Sequence, residues 1–209
     1  RELGIEIFDD YKTMLRKYAG KLDLVCIPTG IALHAPMAIE TMLSGANALI
    51  EKPAAATIQE VIAMQETEKK TGKFVAVAFQ SIYTSELQDI KKQLLQGVIG
   101  KITRMVACGL EPRTFAYYSR NNWAGCLKDK RGEWVLDSPY NNAVAHQLNM
   151  MTFLAGQTFE LPATPISVTA ELYHANNIES ADTASIFIET KENIPLYFYI
   201  SHAAESHLR

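Results

Sequence analysis

The stretch Asp23-Leu-Val-Cys-Ile-Pro-Thr-Gly-Ile-Ala-Leu-His34, followed by Gly45, the run Asn47-Ala-Leu-Ile50 and the tripeptide Glu51-Lys52-Pro53, decides how this chain is read. Leu22 to Ile27 is a short apolar run closed by Pro28-Thr29-Gly30, and a helical pattern runs from His34 to about Leu43 before Ser44-Gly45. That is a strand, a loop and a helix. Asn47 to Ile50 is a second strand. Thr57 then offers a helix cap with Glu60 three residues on, ahead of Ile58, Val61, Ile62 and Met64 and a stop at Gly72. Lys73 to Phe79 is a third strand. Strands alternating with helices of this length imply right-handed crossovers and a parallel sheet with helices on both faces. Residues 1 to about 80 are therefore expected to form part of a doubly wound α/β domain.

Beyond residue 80 the pattern changes. A helix is expected from about Ser85 to Leu95, a turn at Gly97-Val-Ile-Gly100, and a strand from Lys101 to about Cys108. Residues 111 to 139 are rich in Arg, Asn, Tyr and Trp with little periodicity, which suits a long loop that lines something. One more helix is expected from Asn141 to about Leu154, ended by Gly156. Strand-like runs follow at 166 to 173, 183 to 190 and 195 to 201, with period two at Val168, Ala170 and Leu172. Consecutive strands without helices predict an antiparallel sheet, so residues 81–209 read as an α+β domain.

The composition bounds the function. A chain of 209 residues, 48% hydrophobic and 21% charged, can bury a real core. Twenty Lys and Arg against 23 Asp and Glu leave a formal charge of -3 with no basic stripe, which argues against a nucleic-acid partner. No apolar run reaches the roughly 18 to 20 residues of a membrane-spanning helix, so no membrane association is expected. Cys26, Cys108 and Cys126 form no CxxC pair and read as buried or incidental thiols in a reducing compartment, hence a cytoplasmic protein. The opening at Arg1, without an initiator Met or a signal pattern, and the end directly after an apolar run are read as those of a chain truncated at both ends. The five histidines show no HExxH or Cys/His cluster, so no metal is expected, and neither GxSxG nor GxxxxGK[ST] is present.

Placed on this pattern, the loop after the first strand and a lysine after the second both lie at the carboxyl edge of a parallel sheet, where such folds bind ligands. The arrangement resembles the Gfo/Idh/MocA family of nicotinamide-dependent oxidoreductases, through Glu51-Lys52-Pro53, His34, the helix 57 to 71, Gln96-Gly-Val-Ile-Gly-Lys101, His146 and Ile178-Glu-Ser-Ala-Asp-Thr183. The resemblance implies a Rossmann-type parallel sheet over 1–80, present in part, followed by an α+β substrate-binding and oligomerisation domain over 81–209 with a mostly antiparallel open sheet. It implies NAD or NADP as cofactor, with the Gly-rich loop and the acidic ribose-binding residue upstream of Arg1. None of the 11 glycines forms a GxG pair, which agrees with that placement. Pro28, Thr29 and His34 match the segment near the nicotinamide ribose, although the usual Thr-Pro-Asn order is rearranged here, and Glu51 and Lys52 complete the cofactor-binding set. The resemblance also implies a cis Lys52-Pro53 bond and a homodimer or homotetramer built through the carboxyl-terminal sheet. A face carrying Ile186, Ile188, Phe198 and Ile200 would suit that contact.

Lys52 would sit beside the reacting hydroxyl, where a fixed ammonium stabilises developing alkoxide charge; the alternative is an ordinary solvated lysine. Glu51 would orient Lys52 or the backbone. In the second motif Asn142 and His146 are four residues apart, hence on one helical face, and Asn149 lies three beyond His146. The family usually has an Asp four residues before this His and often another Asp after it, and both are amides here. An amide cannot take a proton at neutral pH, so acid-base duty passes to His146, with Asn142 left to orient the ring or bind a hydroxyl. Asp137 could restore a carboxylate or simply cap a turn. Arg120 and Trp123, with Asn121 and Asn122, could bond to and stack on a sugar ring, or be ordinary loop residues.

The function so read is hydride transfer between nicotinamide and a secondary alcohol or ketone of a sugar, a cyclic polyol or a derivative. Lys52, His146 and Asn142 form the catalytic set; Lys52, Asn142, His146, Arg120 and Trp123 contact substrate. Two alternatives stand beside it: transient oxidation that drives elimination or glycoside cleavage, and a non-catalytic binding or regulatory protein on the same fold.

Overall fold

The computed structural model describes residues 4–207, in two compact units, Arg1–Ala78 and Phe79–Arg209. In the first, α1 (Tyr11–Lys17) precedes β1 (Leu24–Ile27), α2 (Ile31–Leu43), β2 (Asn47–Ile50), α3 (Ile58–Thr71) and β3 (Val75–Val77). The three strands pair in parallel in the order β1-β2-β3, with Leu24 opposite Asn47 and Ala48 opposite Val75. Their core is Ile27, Ala48 and Ile50 under Ala35, Ala38 and Met42 of α2 and Met64 of α3. α3 begins as its cap predicts: Thr57 Oγ1 accepts from the Glu60 amide and Glu60 accepts from the Thr57 amide. It ends at Gly72, whose left-handed conformation favours glycine. α2 starts at Ile31, so His34 lies inside a helix and not in the loop expected to carry it.

In the second unit a short 3₁₀ turn (Gln80–Tyr83) leads into α4 (Ser85–Leu95), β4 (Met105–Leu110), α5 (Phe115–Tyr118), α6 (Ala145–Ala155), β5 (Pro165–Tyr173), β6 (Thr183–Thr190) and β7 (Leu196–Ser201). The sheet order is β4-β7-β6-β5. β5, β6 and β7 are antiparallel as expected, but β4 pairs with β7 in parallel, Met105 opposite Leu196. The chain between β4 and β5, with its two helices, sets that direction.

Three expectations are corrected. Ile186, Ile188, Phe198 and Ile200 are buried at 7, 5, 1 and 2% exposure, packed with Met151 and Ala155 of α6, so they are core and not an open face. The exposed apolar side chains of this sheet are instead Val106, Ile166, Val168, Leu172, Tyr173 and Tyr199. Cys26 and Cys108 are exposed and Cys126 half-buried, because strand alternation turns Cys26 away from buried Ile27 and Cys108 away from the inward Ala107. The single helix expected over 141 to 154 is two pieces: a π-helical turn at Pro139–Ala143, then α6, broken at Val144.

Candidate functional site

In the first unit the loops after β1 and β2 are joined by one side chain. His34 is buried, and its ring nitrogens face two backbone carbonyls, Nδ1 to Pro53 O at 2.7 Å and Nε2 to Thr29 O at 3.0 Å. The first of these loops carries Pro28 and Thr29, the second Glu51 and Lys52. The Lys52-Pro53 peptide is cis. Glu51 is exposed and accepts from the Lys52 amide at 3.3 Å, which ties its carboxylate to the lysine's backbone. Lys52 is half-buried. Thr29 Oγ1 is buried without a hydrogen-bond partner among the described residues. A buried hydroxyl in that condition at a strand's carboxyl end suits a hydroxyl-rich ligand such as a ribose. His34 thus lies between the Thr29 and Pro53 loops, and a neutral ring donates to one of the two carbonyls, according to its tautomer.

In the second unit a chain of hydrogen bonds runs through Asp137. Its buried carboxylate accepts from the Gly125 amide at 2.8 Å and from Asn142 Nδ2 at 2.7 Å. Because a carboxylate only accepts, the Asn142 amide nitrogen must face it and its oxygen is turned elsewhere. Ser138 caps the turn by accepting from the Asn141 amide at 3.2 Å, and Asn141 Nδ2 donates to Leu136 O at 3.1 Å. The break at Val144 means that Asn142 and His146 do not share a continuous α-helical face; the π-helical turn sets their relation. His146, half-buried in the first turn of α6, meets the ring of Phe79 edge-on, with centroids 5.7 Å apart.

Arg120 and Trp123 resolve into local structure. The Arg120 guanidinium lies 3.5 Å from the Tyr117 ring centroid and 5.5 Å from that of Trp123, and it donates to Tyr117 O at 3.0 Å. Asn121 closes the turn beneath by accepting from the Trp123 and Ala124 amides at 3.0 and 2.7 Å.

Sequence reasoning missed a polar cluster at the carboxyl ends of β4 and β7. Buried His202 faces Glu111 O through Nδ1 at 2.8 Å; burial, the largest influence, pushes its imidazole below the ordinary 6.5. Arg113 pairs with Glu111 at 3.1 Å and stacks on Tyr117. Tyr118 keeps its proton, pushed up to about 12 by burial and then by the carboxylate of Asp182. Burial alone would raise Asp182 too, but hydrogen bonds from Asn176, Ala175 and Thr183 outweigh it and hold the carboxyl below 3.8. Glu111 and His202 follow directly on strands, which is the one signal in the sequence that could have pointed to them.

Among the described residues, no group of three His, Cys, Asp or Glu side chains is placed to hold a metal, and no helix is long and apolar enough to cross a membrane.

A parallel three-stranded sheet is thus followed by a four-stranded, mostly antiparallel one, an α/β unit and then an α+β unit. Residues 1–79 match the Gfo/Idh/MocA family model, described as an oxidoreductase family with an NAD-binding Rossmann fold. The nicotinamide expectation agrees with that description. A glycosyl hydrolase family 109 protein of Shewanella baltica is 37% identical over 81 residues, 39% of this chain and 18% of that protein. Among solved structures, the WlbA dehydrogenase of Bordetella pertussis, in complex with NADH and UDP-GlcNAcA, superposes with a TM-score of 0.84 at 24% identity, over 98% of this chain and 58% of that one. The myo-inositol 2-dehydrogenase of Lactobacillus plantarum does so with a TM-score of 0.72 at 20% identity, over 99% and 59%. These two likenesses establish the fold. The chain spans less than a fifth of the curated relative and under two thirds of either solved protein.

Proposed function

We propose that this chain belongs to an NAD(P)-dependent oxidoreductase that interconverts a secondary alcohol and a ketone on a sugar, a cyclic polyol or a derivative. The observation that carries the reading is the edge of the first sheet, where buried His34 lies between the Thr29 and Pro53 carbonyls and the Thr29 hydroxyl is buried without a hydrogen-bond partner among the described residues. Pro28, Thr29, Glu51 and Lys52, positioned by His34, would hold the nicotinamide end of the cofactor, which when bound supplies the hydride acceptor. Residues 1–80 are then the carboxyl-terminal part of a dinucleotide-binding domain and 81–209 part of the domain for substrate and subunit contacts.

In this mechanism Lys52 stabilises negative charge on the substrate oxygen by a fixed ammonium. His146 takes the hydroxyl proton as the carbon loses hydride and returns it in the reverse direction. Asn142 accepts from a neighbouring substrate hydroxyl through Oδ1, its rotation fixed by Asp137. Arg120 and Trp123 border the substrate as a stacked pair. The family match and the dehydrogenases sharing the fold support this reading. The complete protein is expected in the cytoplasm as a homodimer or homotetramer.

The test is nicotinamide reduction by the full-length protein over a panel of sugars and cyclic polyols. Lys52→Ala should lower kcat by about a hundredfold or more with the fold intact, and His146→Ala should lower kcat by about a hundredfold as well. An unchanged kcat in Lys52→Ala contradicts the mechanism. The glycosyl hydrolase family 109 relatives favour a second reading, oxidation used transiently to cleave a glycoside. It predicts that sugar is released without net accumulation of reduced cofactor.

A further inference from the structure

Beside the loop that carries Gly125 the second unit has a cavity of about 380 Å³, lined by Phe115, Tyr118, Gly125, Asn176, Asn177 and Glu179, among others. Its volume is within the range of small-molecule sites. Phe115 is 83% exposed, an aromatic ring turned outward with nothing of its own unit to cover it. Tyr118 contributes a second ring and a hydroxyl that is buried without a hydrogen-bond partner among the described residues. Asn176 donates through Nδ2 to Asp182 at 2.7 Å, which turns its amide oxygen away from that carboxylate. Asn177 is exposed at the rim, and Glu179 is fixed by accepting from the Leu127 amide at 3.0 Å.

The lining is specific in what it omits. Among the described residues no lysine, arginine or histidine lines the cavity, and the one carboxylate that does, Glu179, repels anions. Phosphate, nucleotide and sugar-acid groups are therefore poor occupants. Aromatic rings beside amides, a phenol and a carboxylate are what a neutral pyranose requires: apolar C–H faces to stack and hydroxyls to bond. Close packing shapes the wall. Gly125 has φ +72, and a Cβ there would lie 3.0 Å from Tyr118 and from Ile178, so the bare backbone lets those two side chains approach. The same glycine donates to Asp137, which holds Asn142, so two hydrogen bonds connect the cavity wall to the proposed substrate-orienting amide.

We propose that this cavity is a subsite for a neutral pyranosyl residue, so that the substrate is a disaccharide or glycoside with a second ring bound by Phe115, Tyr118, Asn177 and Glu179. The inference rests on the sugar-oxidoreductase reading and narrows its substrate class.

The experiment is equilibrium binding by ligand-observed NMR to the full-length protein, with lactose, cellobiose and N,N′-diacetylchitobiose against galactose, glucose and N-acetylglucosamine. At least one disaccharide is expected to bind about tenfold tighter than its own monosaccharide. In Phe115→Ala and in Asn177→Ala, both surface substitutions with unchanged melting curves, that ratio should fall below about threefold. Equal binding of disaccharide and monosaccharide, a ratio preserved in both variants, or no binding of any of the six sugars overturns the proposal. None of these readouts depends on nicotinamide turnover, so a failure here is distinct from a failure of the Lys52→Ala assay.

Discussion

His202 sits where a charge would be costly. Burial lowers its affinity for a proton, with Arg113 acting in the same direction and the Glu111 carbonyl and the Glu111 and Asp137 carboxylates opposing. The unfolded chain, whose histidine titrates near the ordinary 6.5, binds that proton more readily than the folded one. Stability from this group is therefore complete above 6.5 and is lost as pH falls through the lower folded value. Urea denaturation at pH 7.5 and pH 5 should show a lower midpoint at pH 5, and His202→Gln should flatten the difference. A midpoint equal at both pH values in the parent protein would contradict this account. Lys52 was legible at the sheet edge because it follows a strand closely, whereas His34, expected in the loop after β1, lies within α2. The Asp137–Gly125 and His202–Glu111 pairs were not legible, because residues 12 and 91 positions apart are brought together only by folding.

The helices and strands follow local rules wherever the chain carries them. The Thr57–Glu60 cap and the Gly72 stop set α3 within a residue of expectation, and the strand-like run at 183 to 190 is β6 over the same residues. α1 was overlooked although Asp10 caps it, accepting from the Lys12 and Thr13 amides. The parallel partnership of β4 with β7 has no local signal, since it depends on how the intervening helices return the chain. α6 ends against such a tertiary constraint. Buried Lys91 donates to the carbonyls of Phe153 and Gly156 at its carboxyl end. A Cβ on Gly156 would stand 2.0 Å from Leu161 O and 2.8 Å from Pro162 C, which are backbone atoms that cannot turn aside. Gly156→Ala should therefore destabilise the protein by about 3 kcal/mol, read as a fall in the denaturation midpoint. A loss below about 0.5 kcal/mol would mean that the 156–162 connection packs differently.

At the scale of the whole molecule the account joins a family-matched sheet edge to a second unit with its own polar site. The central claim is that the edge formed by Thr29, His34 and Lys52 serves a nicotinamide cofactor. The most direct measurement is calorimetric titration of NADH and NADPH into the full-length protein after denaturation and refolding has stripped it of small molecules. The account predicts saturable binding of one of them in the micromolar range or tighter, about -8 kcal/mol or more, and weaker binding in Thr29→Ala. Absence of binding by both cofactors to folded protein would contradict it, and with it the hydride-transfer function.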